Sequence, residues 1–349
     1  MVRARSFLAT FVVGCALVVG VALGVNSSAF AATPAPKGNG NGLKIAPVRT
    51  DLNIDKGTSR TVSLYVENIT AFPVTVHGVI NDFVPSTDES GEPRIILDDT
   101  QHAPGNSFKS LISTVPVISL QPNERREVKV TLSVPTNASS GGYYGAVRFS
   151  PGNGENDKNV ALTASVGTIF LVRVPGNITE KLSVESFGIV SIESCEGGTA
   201  TKACVPKYGK SSSLFSSGPI AVETRFRNFG NIHVQPFGKI YIKNFSGKIL
   251  ETIEINNAQP RGSVLPASIR KFTNPVKQQK FFGKYTVEAS FGYGSNGELL
   301  LASKTFYVIP YKLIGVIVVI ILFMVLVLPR LIRAYNESII RKSNQNKRR

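Results

Sequence analysis

Glu127–Val134 reads EVKVTLSV, and this octapeptide decides the fold. Val128, Val130, Leu132 and Val134 are apolar, while Glu127, Lys129, Thr131 and Ser133 are polar. A period of two sends alternate side chains to opposite faces, so the segment is a strand buried on one face. Pro135 ends it, because proline has no N–H to give to a central ladder. Thr61–Val66 alternates in the same way, with Val62, Leu64 and Val66 inward. Gly141–Pro151, GGYYGAVRFSP, sets Tyr144, Ala146 and Arg148 on one face and Tyr143, Gly145, Val147 and Phe149 on the other. Val160–Val174 is apolar on both faces in part, as a central strand would be.

Pro175-Gly176-Asn177 punctuates the pattern and marks a domain boundary. Strands resume at Lys181–Phe187, Ile220–Arg227, Lys239–Asn244, Lys284–Phe291 and Leu299–Val308. Ile220, Val222, Thr224 and Phe226 form one inner row, and Tyr285, Val287, Ala289 and Phe291 form another. Glu193–Gly218 interrupts them and reads as a long surface loop, with Cys195 and Cys204 stapling its base. Outside the cell a disulfide is the natural state of such a pair, and closing about ten residues stabilises by roughly 2–3 kcal/mol. A faint echo links the halves. Gln121-Pro122, Arg125-Arg126 and Gly142-Tyr143 in the first match Leu265-Pro266, Arg270-Lys271 and Gly283-Lys284-Tyr285 in the second. The turn cluster STDESGEP, Ser86–Pro93, reads as a solvated hairpin tip and lacks the ligand spacing of a calcium-binding hand. With no helix-period segment between Ala32 and Val308, the fold class is all-β, with two tandem immunoglobulin-like β-sandwich domains.

The ends of the chain are different in kind. Arg3 and Arg5, an apolar run from Phe7 to Val25 and Ala29-Phe30-Ala31 make a secretory signal peptide over 1–31. A flexible leader occupies 32–42, and the sandwiches occupy 43–176 and 177–308. Leu313–Leu328, LIGVIVVIILFMVLVL, has no polar side chain and lies in a predicted transmembrane helix over 309–329. Arg330, Arg333, Arg341, Lys342, Lys347, Arg348 and Arg349 make 330–349 a basic tail. By the positive-inside rule the tail is cytoplasmic and the sandwiches are outside a cell membrane crossed once. The whole chain carries a formal charge of +16. With the flanking cations and Glu337 set aside, 29 basic residues still face 22 acidic ones, a balance that suits anionic partners.

The order of signal peptide, PNERREVKVTLSVP (Pro122–Pro135) and GGYYGAVRF (Gly141–Phe149) resembles the peptidoglycan-binding domain of WxL-interacting proteins, surface proteins of Gram-positive bacteria. The resemblance implies attachment to wall peptidoglycan or an anionic wall polymer, and a second sandwich that binds a host or ligand. Tyr143, Tyr144 and Arg148 are its candidate ligand-binding residues. The chain has no tryptophan, so glycan stacking would fall to such tyrosines; the plainer reading puts one of the pair in the core and the other on a sheet face.

No catalytic constellation emerges. His77, His102 and His233 stand at no metal-ligand spacing, and there is no phosphate-cradling loop or G-x-S-x-G elbow. The expectation is a non-catalytic surface protein with no cofactor, no metal and no nucleic-acid partner, binding wall polymer or other surface proteins. The alternative is a chaperone-like or assembly protein that accepts a partner strand at a sandwich edge, since the first domain resembles pilus chaperones at the level of fold.

Overall fold

A computed structural model describes residues 42–152, 165–196, 205–277 and 282–346. The expected signal peptide, the leader up to Asn41 and Cys204 lie outside these residues. The first half contains β1 (Leu43–Ala46), β2 (Arg49–Asn53), β3 (Ser59–Asn68), β4 (Val74–Pro85), β5 (Pro93–Ile95), β6 (Ile118–Leu120), β7 (Arg125–Ser133), β8 (Gly141–Pro151) and β9 (Val166–Val174). The second contains β10 (Leu182–Glu196), β11 (Val205–Ser212), β12 (Leu214–Phe215), β13 (Ile220–Asn228), β14 (Phe237–Asn244), β15 (Ile249–Ile255), β16 (Ile269–Pro275), β17 (Gly283–Tyr293) and β18 (Glu298–Val308). Two helices follow, α1 (Tyr311–Leu326) and α2 (Leu328–Asn346).

The predicted alternation is present. On β7, Val128, Val130 and Leu132 are buried, and they face Leu64, Val62 and Arg60 of antiparallel β3. Burying each such aliphatic side chain stabilises by about 1.5–3 kcal/mol. The outer face is laced by hydroxyls: Thr61 and Thr131 lie 2.9 Å apart, Ser59 and Ser133 2.8 Å apart. The inner rows of β13 and β17 are buried as read from their sequences.

Each half buries its own core between two sheets. In the first half the sheets run β1-β3-β7 and β2-β9-β8-β4-β5, with β6 against β4. In the second they run β11-β10-β13-β16 and β12-β18-β17-β14-β15. This is one topology used twice. β10, β13 and β16 stand where β1, β3 and β7 stand, and β12 to β15 follow the order of β2 to β5. A parallel pair closes the same side of each copy: β2 with β9, β12 with β18.

The repeat extends to a polar device inside each core. Asn68 and Asn228 end β3 and β13, and both are fully buried. Asn68 accepts from the Thr70 N–H at 2.9 Å and donates to the carbonyls of Phe72 (2.8 Å) and Gln121 (3.1 Å). Asn228 accepts from the Gly230 N–H at 2.8 Å and donates to the carbonyls of Ile232 and Val264, each at 2.8 Å. One amide thus satisfies three backbone groups that the turning chain removes from water.

Two expectations change. Glu193–Gly218 is not a surface loop: β10 continues to Glu196 and returns as β11, extending the sheet by one strand. Cys195 stands in that ladder opposite Pro206, while Cys204 is beyond the described residues. Ser and Gly concealed the hairpin because an edge strand with exposed faces needs few apolar residues. The basic tail, in turn, is helical as far as Asn346. Ile314–Glu337 is long and apolar enough to cross a membrane, and none of it is buried within the protein.

The paired asparagines lead to a stability prediction. Asn228→Ala should remove one hydrogen bond from each of three backbone groups, the Val264 carbonyl keeping the Val234 N–H, and lower stability by roughly 1–3 kcal/mol. Asn68→Ala should act similarly in the first sandwich, where the Phe72 and Gln121 carbonyls keep Thr70 Oγ1 and the Glu124 N–H. Urea unfolding of the detergent-solubilised chain would read both losses, whereas Asn231→Ala should leave the second core's own transition in place.

Candidate functional site

Among the described residues, four groups of contacts dock the sandwiches. Arg49, on the edge strand β2, donates from Nη1 to the Arg261 carbonyl at 2.7 Å and from Nη2 to Ser263 Oγ at 2.9 Å. Its Nε and Nη2 also hold Asp51, at 2.9 and 2.8 Å. The Gly142 N–H at the start of β8 donates to the Asn231 carbonyl at 2.9 Å. Beside it the Tyr144 hydroxyl lies 3.4 Å from His233 Nδ1, with the rings edge to face.

The fourth contact corrects the reading of Ser86–Pro93 in part: it is the tip of the β4–β5 hairpin, with Thr87, Asp88, Ser90 and Glu92 exposed, but Glu89 is docked. Glu89 takes a left-handed backbone, φ 63°, and its carboxylate meets the Arg225 guanidinium as a fork, one arm at 2.6 Å. The Lys271 N–H donates to the Glu89 carbonyl at 2.8 Å. Arg225 holds the Glu89 carboxyl below the usual carboxylate range. Gly91 follows in the left-handed region, φ 79°, and a Cβ there would strike the Arg270 side chain. The acidic turn is therefore a docking arm. The linker is pinned as well: Asn231 accepts from the Thr179 N–H and donates to the Asn177 carbonyl, each at 2.8 Å, and Glu180 accepts from Ser295 N at 2.6 Å and Oγ at 2.8 Å.

These contacts leave a cleft on each side of the junction. One, of about 1130 Å³, is lined by Leu97, His102, Asn106, Tyr144, Asn231 and Leu265 among others. Its wall, the loop after β5, is drawn in by buried Asp82, which accepts from the Ala103 N–H (2.8 Å), Ser107 Oγ (2.7 Å) and the Lys109 N–H (2.9 Å). The other, of about 380 Å³, is polar, lined by Asp51, Arg173, Glu180, His233, Arg261 and Ser295 among others. The β17–β18 turn, Gly294–Gly297, reaches this polar cleft, so β18 begins there.

β18 has an open side. It pairs with β17 along its whole length, but β12 covers only Tyr307 and Val308. The Tyr307 N–H donates outward to Ser213 O, and strand alternation then turns the N–H and C=O of Leu299, Leu301, Ser303 and Thr305 to the same side. Among the described residues no strand takes up that edge between Leu299 and Thr305. Leu299 is 63% exposed and Leu301 74% exposed beside it.

The three sequence-derived binding candidates do not converge. Tyr143 is 4% exposed in the first core and donates to the Ser139 carbonyl at 3.0 Å, so it offers no ring to a glycan. Tyr144 is the half-buried bridge to His233, and burial raises its pKa. Arg148 donates to Asn81 Oδ1 at 2.8 Å and to Ser165 Oγ at 3.3 Å; burial lowers its pKa. It ties β8 to β4. Sequence reading missed Arg49, Glu89 and the β18 edge. The run Glu298-Leu-Leu-Leu-Ala302 was the available signal, since it puts leucines on the outer face as well as the inner.

His233 makes the junction sensitive to acid. Burial pushes its pKa down from 6.5 to about 4, against the opposing pull of Asp51, so the folded ring is neutral. Between those values the unfolded chain binds a proton that the folded chain refuses, so stability is full above pH 6.5 and falls as the pH drops. By pH 4.5 the loss from this group is roughly 2.5 kcal/mol. Urea titrations at pH 7 and pH 4.5 should show that loss, and in His233→Gln the difference between the two pH values should shrink by about the same amount.

No family model and no curated protein matches the chain. Among solved structures it is similar to the class 5 fimbriae chaperone CfaA, at 11% identity and TM-score 0.35, over 75% of this chain and 98% of that one. It is similar to the E. coli chaperone DraB at 14% identity and TM-score 0.31, over 76% and 96% of the two chains. A single PapD-like domain of human CEP192 matches 41% of this chain at 15% identity and TM-score 0.26, over 91% of its own length.

Proposed function

We propose that this chain is a single-pass, membrane-anchored surface protein that holds an extended segment of another exported protein along β18, a non-catalytic, chaperone-like or assembly role. The observation that carries the reading is the β18 edge, where four residues, Leu299, Leu301, Ser303 and Thr305, turn backbone groups outward and the two leucines are exposed. Strand addition takes its affinity from main-chain hydrogen bonds and its selectivity from alternate side chains. A long apolar edge left bare is an aggregation hazard, which supports an edge kept for a partner. The polar cleft at the start of β18 gives the bound segment a place to end.

A second copy in the same membrane fits poorly. Its β18 would also run toward the bilayer, and side-by-side parallel strands do not close a two-fold dimer. The two bodies are read as immunoglobulin-like sandwiches on the outer side of a cell membrane, the arrangement that the resemblance to WxL-interacting proteins implies. The polymer-binding role expected from that resemblance has less support: Tyr143 is in a core and Tyr144 in the junction, so neither offers a stacking platform.

Proline at Ser303 tests the reading, because it removes an outward N–H and leaves the β17 ladder intact. The full chain should retain a specific protein partner through a wash at roughly 1 M salt, where surface charge is screened. Ser303→Pro should lose that partner and Ser303→Ala should keep it. Retention by isolated cell wall at the same salt, unchanged in Ser303→Pro, would instead favour polymer binding.

A further inference from the structure

The C-terminal helix carries a surface that the partner-binding role does not use. A hydrocarbon core of about 30 Å accommodates roughly 20 helical residues. Counted from Tyr311, that length is used up near Arg330, yet helix continues to Asn346. In the first turns of α2, Leu328, Leu331, Ile332 and Tyr335 recur at i, i+3, i+4 and i+7. Arg330, Arg333 and Glu337 recur at the same spacing on the opposite face. Leu331, Ile332 and Tyr335 are all more than half exposed. A helix with one apolar stripe and one basic face has the form of an interfacial helix.

Two arguments fix what covers that stripe. The first is continuity: α2 follows the spanning helix with one residue between them, so the nearest apolar phase is the bilayer just crossed. The Val327 N–H still donates to the Phe323 carbonyl at 2.9 Å, and Leu331 to Val327 at 3.0 Å, so the helical ladder carries through the join. Pro329 lies in the first turn of α2 and lacks the N–H for the i−4 bond, which provides a place to bend. The second is charge: Arg330 and Arg333 flank the stripe, and Arg341 and Lys342 follow in the same helix. Cations near a membrane surface are attracted to anionic lipid.

We propose that α2 is a lipid-binding element, with Leu328, Leu331, Ile332 and Tyr335 seated in the headgroup layer of an anionic membrane and Arg330 and Arg333 against lipid phosphates. It rests on the membrane-span reading and is independent of what β18 binds.

The chain has no tryptophan, so Tyr335→Trp creates a single emitter on the stripe. The full chain would be reconstituted into vesicles of phosphatidylcholine alone or mixed with phosphatidylglycerol, with lipids brominated high on the acyl chain as quenchers. Quenching should be roughly twofold stronger in the mixed vesicles, and stronger than in Glu337→Trp, which reports from the opposite face. Arg330→Gln with Arg333→Gln should remove the gain from phosphatidylglycerol. Leu331→Trp repeats the measurement if Tyr335→Trp disturbs the helix. Equal, weak quenching from both faces would overturn the proposal, because α2 would then stand in water. Strong quenching indifferent to phosphatidylglycerol and to both arginines would overturn its anionic part. Loss of the span itself would show as a chain extractable by alkali, a separate failure.

Discussion

Arg49 joins two bodies that have separate hydrophobic cores, and the geometry of the whole β-strand region depends on how it is satisfied. Its guanidinium is held by Asp51 on its own strand and by Arg261 and Ser263 across the junction. A charge-assisted hydrogen bond of this kind contributes only about 1.5–3 kcal/mol net, so no single contact holds the sandwiches together. Direction is what these contacts supply. A greasy interface tolerates sliding, whereas a planar fork with fixed acceptors allows one approach. Glu89 with Arg225, Gly142 with Asn231 and Tyr144 with His233 repeat that logic around the junction, and the clefts are the spaces between these fixed points.

Duplication explains the open edge better than either copy does alone. In the first sandwich the parallel partner β2 covers five residues of β9, Ile169–Arg173. In the second its counterpart β12 is two residues long and covers only the end of β18. The β10–β11 hairpin precedes β12 and widens the opposite sheet. Among the described residues the same topology is therefore closed in one copy and open in the other, and the open one stands next to the apolar helix α1. Only Ile309 and Pro310 separate β18 from α1, so the open edge and the apolar helix are held close together.

Much of this was legible in order of residues. EVKVTLSV, GGYYGAVRFSP and the rows Ile220–Phe226 and Tyr285–Phe291 gave their strands and buried faces, because burial on one side of a pleated sheet leaves a period of two. The proline-led echo pointed to a repeated topology, and the strand orders repeat. Ser86–Pro93, in part, and Glu193–Gly218 were misread for a common reason: a polar segment looks the same whether it faces water or a polar partner.

The order of residues by itself determined a body built mostly of strands and an apolar helix at the far end, since each follows from local periodicity and length. Tertiary structure alone decided that Tyr143 belongs to a core, that Glu89 grips Arg225 and that β18 keeps a free side. Those outcomes depend on which strand lies beside which, and pairing joins residues more than a hundred positions apart, where no spacing rule reaches.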